Sequence, residues 1–480
     1  VRWTEQRNFE AVLEAMRAGQ LRVKELITHR IQLEEAADVY DKLLHDPAAL
    51  GILIEYPALR PLDELGTGLA QGVPRQARDD KGVARDDVVA VGVIGAGNYA
   101  RSILLPALGR TTARLAAVAD INGVAAGHAA RKFGAGKAVT DYRQILDDPA
   151  VQAVFVLVGH HLHSRFVCEA LEAGKHVFVE KPLAINEGQL EEVVQAYEGV
   201  TLRPLDELRA GLAQGVPRQA RDDNGVAQGD KDNVMVSQSN HELRAGFVEP
   251  SPFLMVGFNR RFSPHTVKIR ELLAGRTEPL NMTMTVNAGA IPPENWVQDP
   301  ERGGGRIIGE GCHFIDLLSY LAGSPVKTVA AAMVGGNGPV REDKMSILLG
   351  FADGSVGTVH YFANGSKSYP KETLEVFSDG RVIRMENFRV TTGFGFKGFR
   401  SFRTWRQDKG HQAEIAAFVT AVALGQAQDA RGNKGNGNNP VFSESYTLIP
   451  FEQIVNITRA SFAAVEAART GKVLEVVALT

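Results

Sequence analysis

Short apolar runs alternate with segments of helical period between residues 88 and 201. The runs are rich in β-branched residues and too short for helices, which is typical of strands buried on both faces of a parallel sheet. Strands are predicted at 88–94, 115–119, 151–158 and 176–179. Each is followed by a segment of helical period, so the pattern predicts βαβ units and a Rossmann-type α/β domain over residues 88–201.

A different pattern fills residues 251–480. Strands are predicted there at 281–287, 328–333, 345–351, 355–362, 373–378 and 381–385. Asp353-Gly354 and Asp379-Gly380 supply tight turns between neighbouring strands. Helices are expected at 263–274, 412–423 and 451–470. We therefore predict an α+β domain with an open, mainly antiparallel sheet, which carries the substrate site and an oligomer interface.

Two polar segments rich in Gly, Pro, Arg and Asp interrupt these patterns. Residues 59–87 and 202–230 are identical at 24 of 29 positions. Two copies are too few for a stacked repeat array, which needs about three or more units to bury a shared core. We interpret residues 58–87 as a linker and residues 202–250 as an insertion. A docking motif for a partner is the alternative.

Residues 1–57 form a separate short piece. Helices are predicted at 8–19 and 33–44, and strands within 21–30 and at 51–56. Such a piece has too little apolar surface for a core of its own. The sequence at 19–44, GQLRVKELITHRIQLEEAADVYDKLL, resembles the C-terminal end of the zinc-type medium-chain alcohol dehydrogenases. The resemblance and the missing initiator Met imply a two-domain fusion oxidoreductase whose front part is absent.

Composition narrows the functional class. The chain of 480 residues has a formal net charge of −3, so it lacks the basic surface that nucleic acid or an anionic membrane requires. Its two cysteines, Cys168 and Cys312, exclude a disulfide framework and fit a reducing compartment. The sequence shows neither a signal peptide nor a membrane-spanning run, so we expect a cytoplasmic protein with no nucleic-acid or membrane partner.

The first strand of the Rossmann-type domain runs directly into a G-x-G-x-x-A turn, Gly95-Ala-Gly97-Asn-Tyr-Ala100. The first glycine permits a tight turn, and the second lets the backbone approach a pyrophosphate. Asp120 closes the second strand, where its carboxylate can accept hydrogen bonds from a ribose diol. NAD is expected rather than NADP, because this carboxylate would repel a 2′-phosphate. We predict a cofactor site that includes Gly95, Gly97, Asn98, Tyr99 and Asp120.

The strand at 176–179 ends at Glu180-Lys181-Pro182-Leu183. This tetrapeptide resembles the E-K-P motif of the Gfo/Idh/MocA oxidoreductases, and Phe258-Asn-Arg-Arg-Phe262 and GGGRIIGEGCHFIDLLSYLAG at 303–323 agree with that family. The resemblance implies an NAD-dependent dehydrogenase acting on a secondary alcohol of a sugar, cyclic polyol or nucleotide-linked sugar. Glu180 and Lys181 would lie beside the cofactor. The ammonium of Lys181 can hold the substrate hydroxyl and assist removal of its proton.

The resemblance also places His313 against the nicotinamide and the substrate, where an imidazole can accept the hydroxyl proton. Many members of the family carry Asp four residues before this histidine, whereas this chain has Gly309. Glu310 is the nearest carboxylate. Because residues i and i+3 share a helix face, we expect Glu310 to take that catalytic role. Asp316 matches the family's H-x-I-D and is expected to hold structure.

Three histidines, His160, His161 and His163, follow the third predicted strand. Their spacing suggests a metal site, but no cysteine or carboxylate supports one, and the resemblance assigns this loop to the cofactor. We predict that His160 and His163 line the cofactor and that no metal is bound. Arg260 is predicted to bind the substrate through a bidentate fork; the alternative is that it or Arg261 pairs with an acidic neighbour.

Three functions stay open at this point. The sequence favours a homo-oligomeric dehydrogenase in which Lys181 and His313 handle the hydroxyl proton of a small-molecule substrate. A regulator or scaffold that binds NAD without turnover is the alternative, because Gly309 departs from the family pattern. An NAD-using glycosidase, which oxidises and then reduces the same sugar, is the second alternative.

Overall fold

The computed structural model describes residues 12, 16, 27–32, 52–55, 88–201, 252–335, 340–430 and 448–479. The chain divides into two compact units, Val1–Val83 and Ala84–Thr480. In the first unit, β1 (His29–Gln32) pairs in parallel with β2 (Ile52–Glu55). Residues 12 and 16 are helical, inside the predicted helix 8–19. The predicted helix 33–44 and both copies of the duplicated segment lie outside the described residues.

The second unit begins with a six-stranded parallel sheet. Its strands are β3 (Ala90–Ile94), β4 (Arg114–Ala119), β5 (Lys137–Val139), β6 (Ala153–Val156), β7 (His176–Val179) and β8 (Leu254–Val256). The helices between them are α1 (Leu105–Leu108), α2 (Gly123–Phe133), α3 (Arg143–Leu146), α4 (His163–Glu172) and α5 (Glu187–Thr201). The strand order β5-β4-β3-β6-β7-β8 is the doubly wound order, so the predicted Rossmann domain is confirmed.

Burial explains why the central strands read as continuous apolar runs. Every residue of β3, β6 and β7 is buried, as expected for strands covered by helices on both faces. The neighbouring helices have clear boundaries. Asn122 caps α2 by accepting hydrogen bonds from the backbone N–H groups of Val124 and Ala125, and Gly134 ends it with φ of +71°.

In the remaining described residues of the second unit, the main elements are a nine-stranded sheet and four α-helices. The strands are β9 (Asn281–Asn287), β10 (Val326–Met333), β11 (Lys344–Phe351), β12 (Val356–Phe362), β13 (Glu372–Ser378), β14 (Arg381–Glu386), β15 (Val390–Phe394), β16 (Ser401–Arg403) and β17 (Leu474–Glu475). The helices are α6 (Pro264–Leu273), α7 (Cys312–Ala322), α8 (His411–Ala430) and α9 (Phe451–Thr470). Two π-helical stretches occur, Ala100–Leu104 before α1 and Ile307–Gly311 before α7.

This second sheet confirms the predicted α+β domain. Its strands run in the order β16-β15-β14-β13-β9-β12-β11-β10-β17. All neighbours are antiparallel except β9 and β12, which pair in parallel. The sequence does not predict β15, β16 or β17, which lie towards the two edges of the sheet.

One face of this sheet packs on helices. Along β9, Met282, Met284 and Val286 are buried and alternate with half-buried polar residues. Helix α9 packs against β10 and α7, and α7 is buried along most of its length. In the part of the chain that the structure describes, no helix is long and apolar enough to span a membrane.

Candidate active site

Strand β3 delivers the glycine turn to the edge where the parallel strands end. Gly95 has φ of +103°, and a Cβ there would lie 2.3 Å from the carbonyl oxygen of Leu157, so only glycine fits. At Gly97, no heavy atom of the described residues lies within 4 Å of the position that a Cβ would take. The backbone at Gly97 is therefore open to a phosphate group, as a dinucleotide turn requires.

Asp120 faces the same turn from the end of β4. Its Oδ2 accepts a hydrogen bond of 2.7 Å from Ala96 N–H, and its Oδ1 accepts one of 2.8 Å from Asn122 N–H. These bonds fix the carboxylate beside the turn and leave lone pairs for a ribose diol. Asn98 is exposed at the turn, and its Oδ1 accepts a hydrogen bond from Arg101 Nη2 at 2.9 Å.

Tyr99 and Glu180 meet at the crevice beside the turn. The Tyr99 ring is tilted against His411, with centroids 6.4 Å apart, and 39% of the residue is exposed. Its hydroxyl contacts Glu180 in the interior, where burial and the Glu180 charge raise the pKa of Tyr99. Burial also raises the pKa of Glu180. The Glu180 carboxylate packs on Gly257, where a Cβ would lie 2.9 Å from Oε1.

Lys181 follows β7 at the carboxyl edge of the parallel sheet. Its Nζ donates a hydrogen bond of 2.7 Å to the carbonyl oxygen of Gly309. Gly309 belongs to the π-helical stretch that leads into α7, the helix that carries His313. The ammonium acts electrostatically on the His313 imidazole. The structure therefore connects Lys181 to the segment that leads into His313, the other residue predicted for proton transfer.

His313 is buried near the start of α7. Its ring lies against Phe258 with centroids 6.2 Å apart, and its Nδ1 is buried without a hydrogen-bond partner among the described residues. Burial and the nearby positive charges of Arg260 and Lys181 hold the pKa of His313 well below its ordinary value of 6.5. The imidazole is therefore neutral, which is the form that can accept a proton.

Among the described residues, no hydrogen bond or ion pair joins Glu310 to His313. Its carboxylate accepts a hydrogen bond from the Tyr361 hydroxyl and pairs with Arg306 Nη2 at 2.9 Å. Glu310 lies in the π-helical stretch, where the regular i, i+3 spacing of an α-helix does not apply. Burial opposes ionisation, but the Tyr361 and Arg306 contacts prevail and lower the pKa of Glu310 to about 2. The catalytic role of Glu310 stays a prediction, without support from this geometry.

The two arginines after β8 both form buried ion pairs. Arg260 Nη2 lies 2.9 Å from Glu372 Oε1, and Lys409 Nζ lies 2.7 Å from the same oxygen. Arg261 Nε donates to Asp316 Oδ1 at 2.7 Å. The structure therefore favours the ion-pair alternative over the prediction that Arg260 binds the substrate. Asp316 holds structure, as expected.

The three histidines after β6 each contact a backbone carbonyl. The Nδ1 atoms of His160, His161 and His163 lie 2.8 Å from Gly303 O, 3.3 Å from Arg302 O and 2.6 Å from Pro182 O. Burial lowers the pKa of His163 to about 4 and that of His160 to about 3, so both are neutral. Within the described residues, no three potential metal ligands come together. These contacts join the loop to neighbouring backbone, and cofactor binding by His160 and His163 stays a prediction.

Two family models match the sequence of the second unit. Residues 89–203 match the oxidoreductase family model with a NAD-binding Rossmann fold, and residues 268–384 match the Gfo/Idh/MocA C-terminal domain. This part of the chain belongs to the Gfo/Idh/MocA oxidoreductases. The family predicted from the E-K-P motif is therefore confirmed, and with it an NAD-binding oxidoreductase. The likeness of residues 1–57 to a medium-chain alcohol dehydrogenase stays a prediction.

The chain is similar to several curated dehydrogenases over most of their length. The chain is 24% identical over 320 residues to a myo-inositol 2-dehydrogenase of Thermotoga maritima, covering 63% of this chain and 79% of the relative. It is 25% identical over 361 residues to an inositol 2-dehydrogenase of Rhizobium meliloti, covering 72% and 92%. A solved levoglucosan dehydrogenase in complex with NADH and levoglucosan has the same fold, with a TM-score of 0.55 and 22% identity over 81% of this chain and 99% of that one.

Several residues of this Gfo/Idh/MocA site are not predicted by the sequence. Arg306 and Tyr361 hold Glu310, and Glu372 is the buried acid between Arg260 and Lys409. Glu414 lies on α8 with one carboxylate oxygen buried and unpartnered among the described residues, and burial keeps its pKa well above 4.5. Arg306 lies four residues before Glu310 in the segment 303–323, whereas Tyr361, Glu372 and Glu414 acquire their neighbours through the tertiary fold and carry no local motif.

Proposed function

We propose that the chain is an NAD-dependent dehydrogenase acting on a secondary alcohol of a sugar, a cyclic polyol or a nucleotide-linked sugar. One observation carries the proposal. The Lys181 ammonium binds the carbonyl of Gly309, which lies four residues before the neutral, unpartnered imidazole of His313. This contact supports a site in which Lys181 donates a hydrogen bond to the alcohol oxygen and His313 accepts its proton.

The site residues fit NAD. Gly95 gives the tight turn, Gly97 leaves the backbone open to the pyrophosphate, and Asp120 has lone pairs free for the ribose. When bound, the nicotinamide supplies the hydride acceptor. We infer a preference for NAD over NADP, because the Asp120 carboxylate would repel a 2′-phosphate at close range.

The protein's own residues would handle the proton. The Lys181 ammonium holds the substrate oxygen and favours the alkoxide that develops as the C–H bond breaks. The neutral His313 accepts the hydroxyl proton at a ring nitrogen. Burial of the imidazole keeps it unprotonated before the reaction, so it is available as a base.

The substrate class rests on the relatives together with the site. Related proteins are named as myo-inositol, inositol and levoglucosan dehydrogenases. Their substrates are cyclic and carry several hydroxyl groups, which supports a sugar or polyol as the substrate here. Assembly as a homo-oligomer, a cytoplasmic location and the origin of residues 1–57 from a fused dehydrogenase are further predictions.

The decisive experiment measures NADH formation by the full chain with a panel of cyclic polyols, sugars and nucleotide-linked sugars. We expect stoichiometric NADH and a ketone product for at least one of them. Tight NAD binding without any NADH would favour the regulator instead. Release of a sugar from a glycoside without net NADH would identify the NAD-using glycosidase.

A further inference from the structure

The ring of His160 fills the space beside Gly309. A Cβ at residue 309 would lie 2.9 Å from His160 Cε1 and 3.1 Å from its Nδ1, too close for any side chain unless the ring moves. The ring is held in place, because its Nδ1 is bonded to Gly303 O at 2.8 Å. Trp296 packs edge-to-face against it, with centroids 4.7 Å apart. Residue 309 is therefore glycine for a steric reason that originates in His160.

The hydrogen bond to Gly303 also determines which His160 nitrogen carries the proton. A carbonyl oxygen only accepts, so Nδ1 must be the donor, and Nε2 of the neutral ring is left with a lone pair. Among the described residues, Nε2 has no hydrogen-bond partner, and it is not sealed from solvent. Burial and the Lys181 charge lower the pKa of His160 to about 3. The ring therefore presents an uncharged acceptor across the neutral pH range.

His160 lies next to the proposed proton-transfer residues. Gly309 is the shared neighbour, because its carbonyl accepts the Lys181 hydrogen bond and its Cα hydrogens face the His160 ring. The segment continues from Gly309 into α7 and His313. A substrate hydroxyl that reaches Lys181 would therefore approach the segment of backbone that the His160 ring packs against.

We propose that His160 is a substrate-binding residue, whose Nε2 accepts a hydrogen bond from a substrate hydroxyl in the space that a carboxylate at position 309 would otherwise occupy. This inference rests on the proposed dehydrogenase function. It replaces the prediction that Glu310 compensates for Gly309, because Glu310 is turned towards Tyr361 and Arg306. It also couples His160 to Gly309, because the His160 ring can occupy its observed position only while residue 309 has no side chain.

The first test compares His160→Asn with His161→Asn in the full chain. In His160→Asn the new side-chain amide can still donate a hydrogen bond to Gly303 O, but none of its atoms reaches the position of Nε2. We expect KM for the polyol substrate to rise about tenfold or more, the range for losing a hydrogen bond to substrate. The melting temperature should change little, and a rise in KM without a change in the dissociation constant for NAD would assign the His160 ring to the substrate and not to the cofactor. His161→Asn removes a ring with a similar carbonyl contact, 3.3 Å from Arg302 O, and should leave KM within about twofold.

The second test uses the coupling between the two positions. Gly309→Asp alone should lower kcat/KM severely, because its Cβ collides with the His160 ring. In the double variant His160→Ala with Gly309→Asp, the ring is gone and the carboxylate has space. We expect its kcat/KM to be about tenfold or more above that of Gly309→Asp alone. An active wild-type enzyme whose KM is unchanged by His160→Asn, or a double variant no better than Gly309→Asp, overturns the role of His160 and leaves the dehydrogenase intact. A wild-type protein that oxidises no substrate rejects both.

Discussion

The Nζ atom of Lys181 donates a hydrogen bond of 2.7 Å to the carbonyl oxygen of Gly309. This single contact joins the end of β7 to the segment that opens α7, so it links the cofactor-binding sheet to the helix that carries His313. The partner is a neutral carbonyl and not a carboxylate. In this contact the ammonium is not paired with a carboxylate, and its positive charge can stabilise an alcohol oxygen that loses its proton.

The first prediction concerns that charge. Lys181→Met keeps much of the stem's packing but removes the ammonium. Turnover should fall by about two to four orders of magnitude, the range for losing an acid–base or electrostatic group. NAD affinity should be nearly unchanged, because we predict that the glycine turn and Asp120 supply most of the cofactor contacts. Steady-state kinetics measure the turnover, and fluorescence titration measures the NAD affinity. Unaltered turnover in Lys181→Met would show that Lys181 has no part in the mechanism.

A second prediction concerns cofactor choice. Asp120→Asn removes the negative charge and keeps one acceptor oxygen, which can accept from the N–H of Ala96 or of Asn122 but not both, because each of these now bonds to a different carboxylate oxygen. The preference for NAD over NADP should narrow about tenfold or more, because the repulsion of a 2′-phosphate is lost. Dissociation constants for both cofactors give the ratio. A wild-type preference for NADP would show that Asp120 does not face the ribose.

The third prediction concerns stability. Glu372 is fully buried between Arg260 and Lys409, so Glu372→Gln leaves a buried guanidinium and a half-buried ammonium without their counter-ion. We expect a loss of about 3–5 kcal/mol in the free energy of unfolding. Glu271→Gln is the matched control, because Glu271 pairs with Lys268 on the surface with 59% of its side chain exposed. Urea denaturation should show that Glu271→Gln lowers the free energy of unfolding by less than about 1 kcal/mol. Equal losses in the two variants would contradict a stabilising role for the buried Arg260–Glu372 pair.

These residues show what the sequence can and cannot predict. The turn at Gly95 and the strand before it are encoded locally, as an apolar run followed by glycines, so their structure follows from the pattern. Arg260 and Glu372 are 112 positions apart, and His160 and Gly303 are 143 apart. No local pattern records which distant residue a side chain meets. The ion pair of Arg260 and the anchoring of His160 therefore emerge only from the tertiary fold.

Glu310 illustrates a different limit. The i, i+3 spacing predicts that it faces His313, and that inference assumes regular α-helical geometry. The π-helical stretch Ile307–Gly311 changes the number of residues per turn. Nothing in the sequence IIGEG marks that change in advance.

The fourth prediction uses the pKa of Glu310. Its carboxyl titrates at about 2 in the folded protein against an ordinary value of 4.5. The folded state therefore favours the ionised form, and this stabilisation is present above pH 4.5 and is lost as the pH falls towards 2. Glu310→Gln should lower the free energy of unfolding at pH 7 by up to about 3 kcal/mol, with a smaller difference at pH 3. Urea denaturation at both pH values measures it, and a constant difference would show that Glu310 is not held by Tyr361 and Arg306.

The last prediction concerns His313 as the base. Burial and the neighbouring cations keep its imidazole neutral, so kcat/KM should not decline as the pH falls through 6.5, the ordinary pKa of histidine. An acid limb at that pH, absent from His313→Gln, would show that the ring titrates normally and that its surroundings are more polar than the structure implies. His313→Gln keeps hydrogen-bonding atoms but cannot accept the proton, so turnover should fall by about two to four orders of magnitude with little change in NAD affinity. Because Lys181 and His313 would act on one hydroxyl group, the double variant Lys181→Met with His313→Gln should lose less than the product of the two single losses. Fully multiplicative losses would mean that the two residues serve separate steps, and the shared proton transfer would then have to be abandoned.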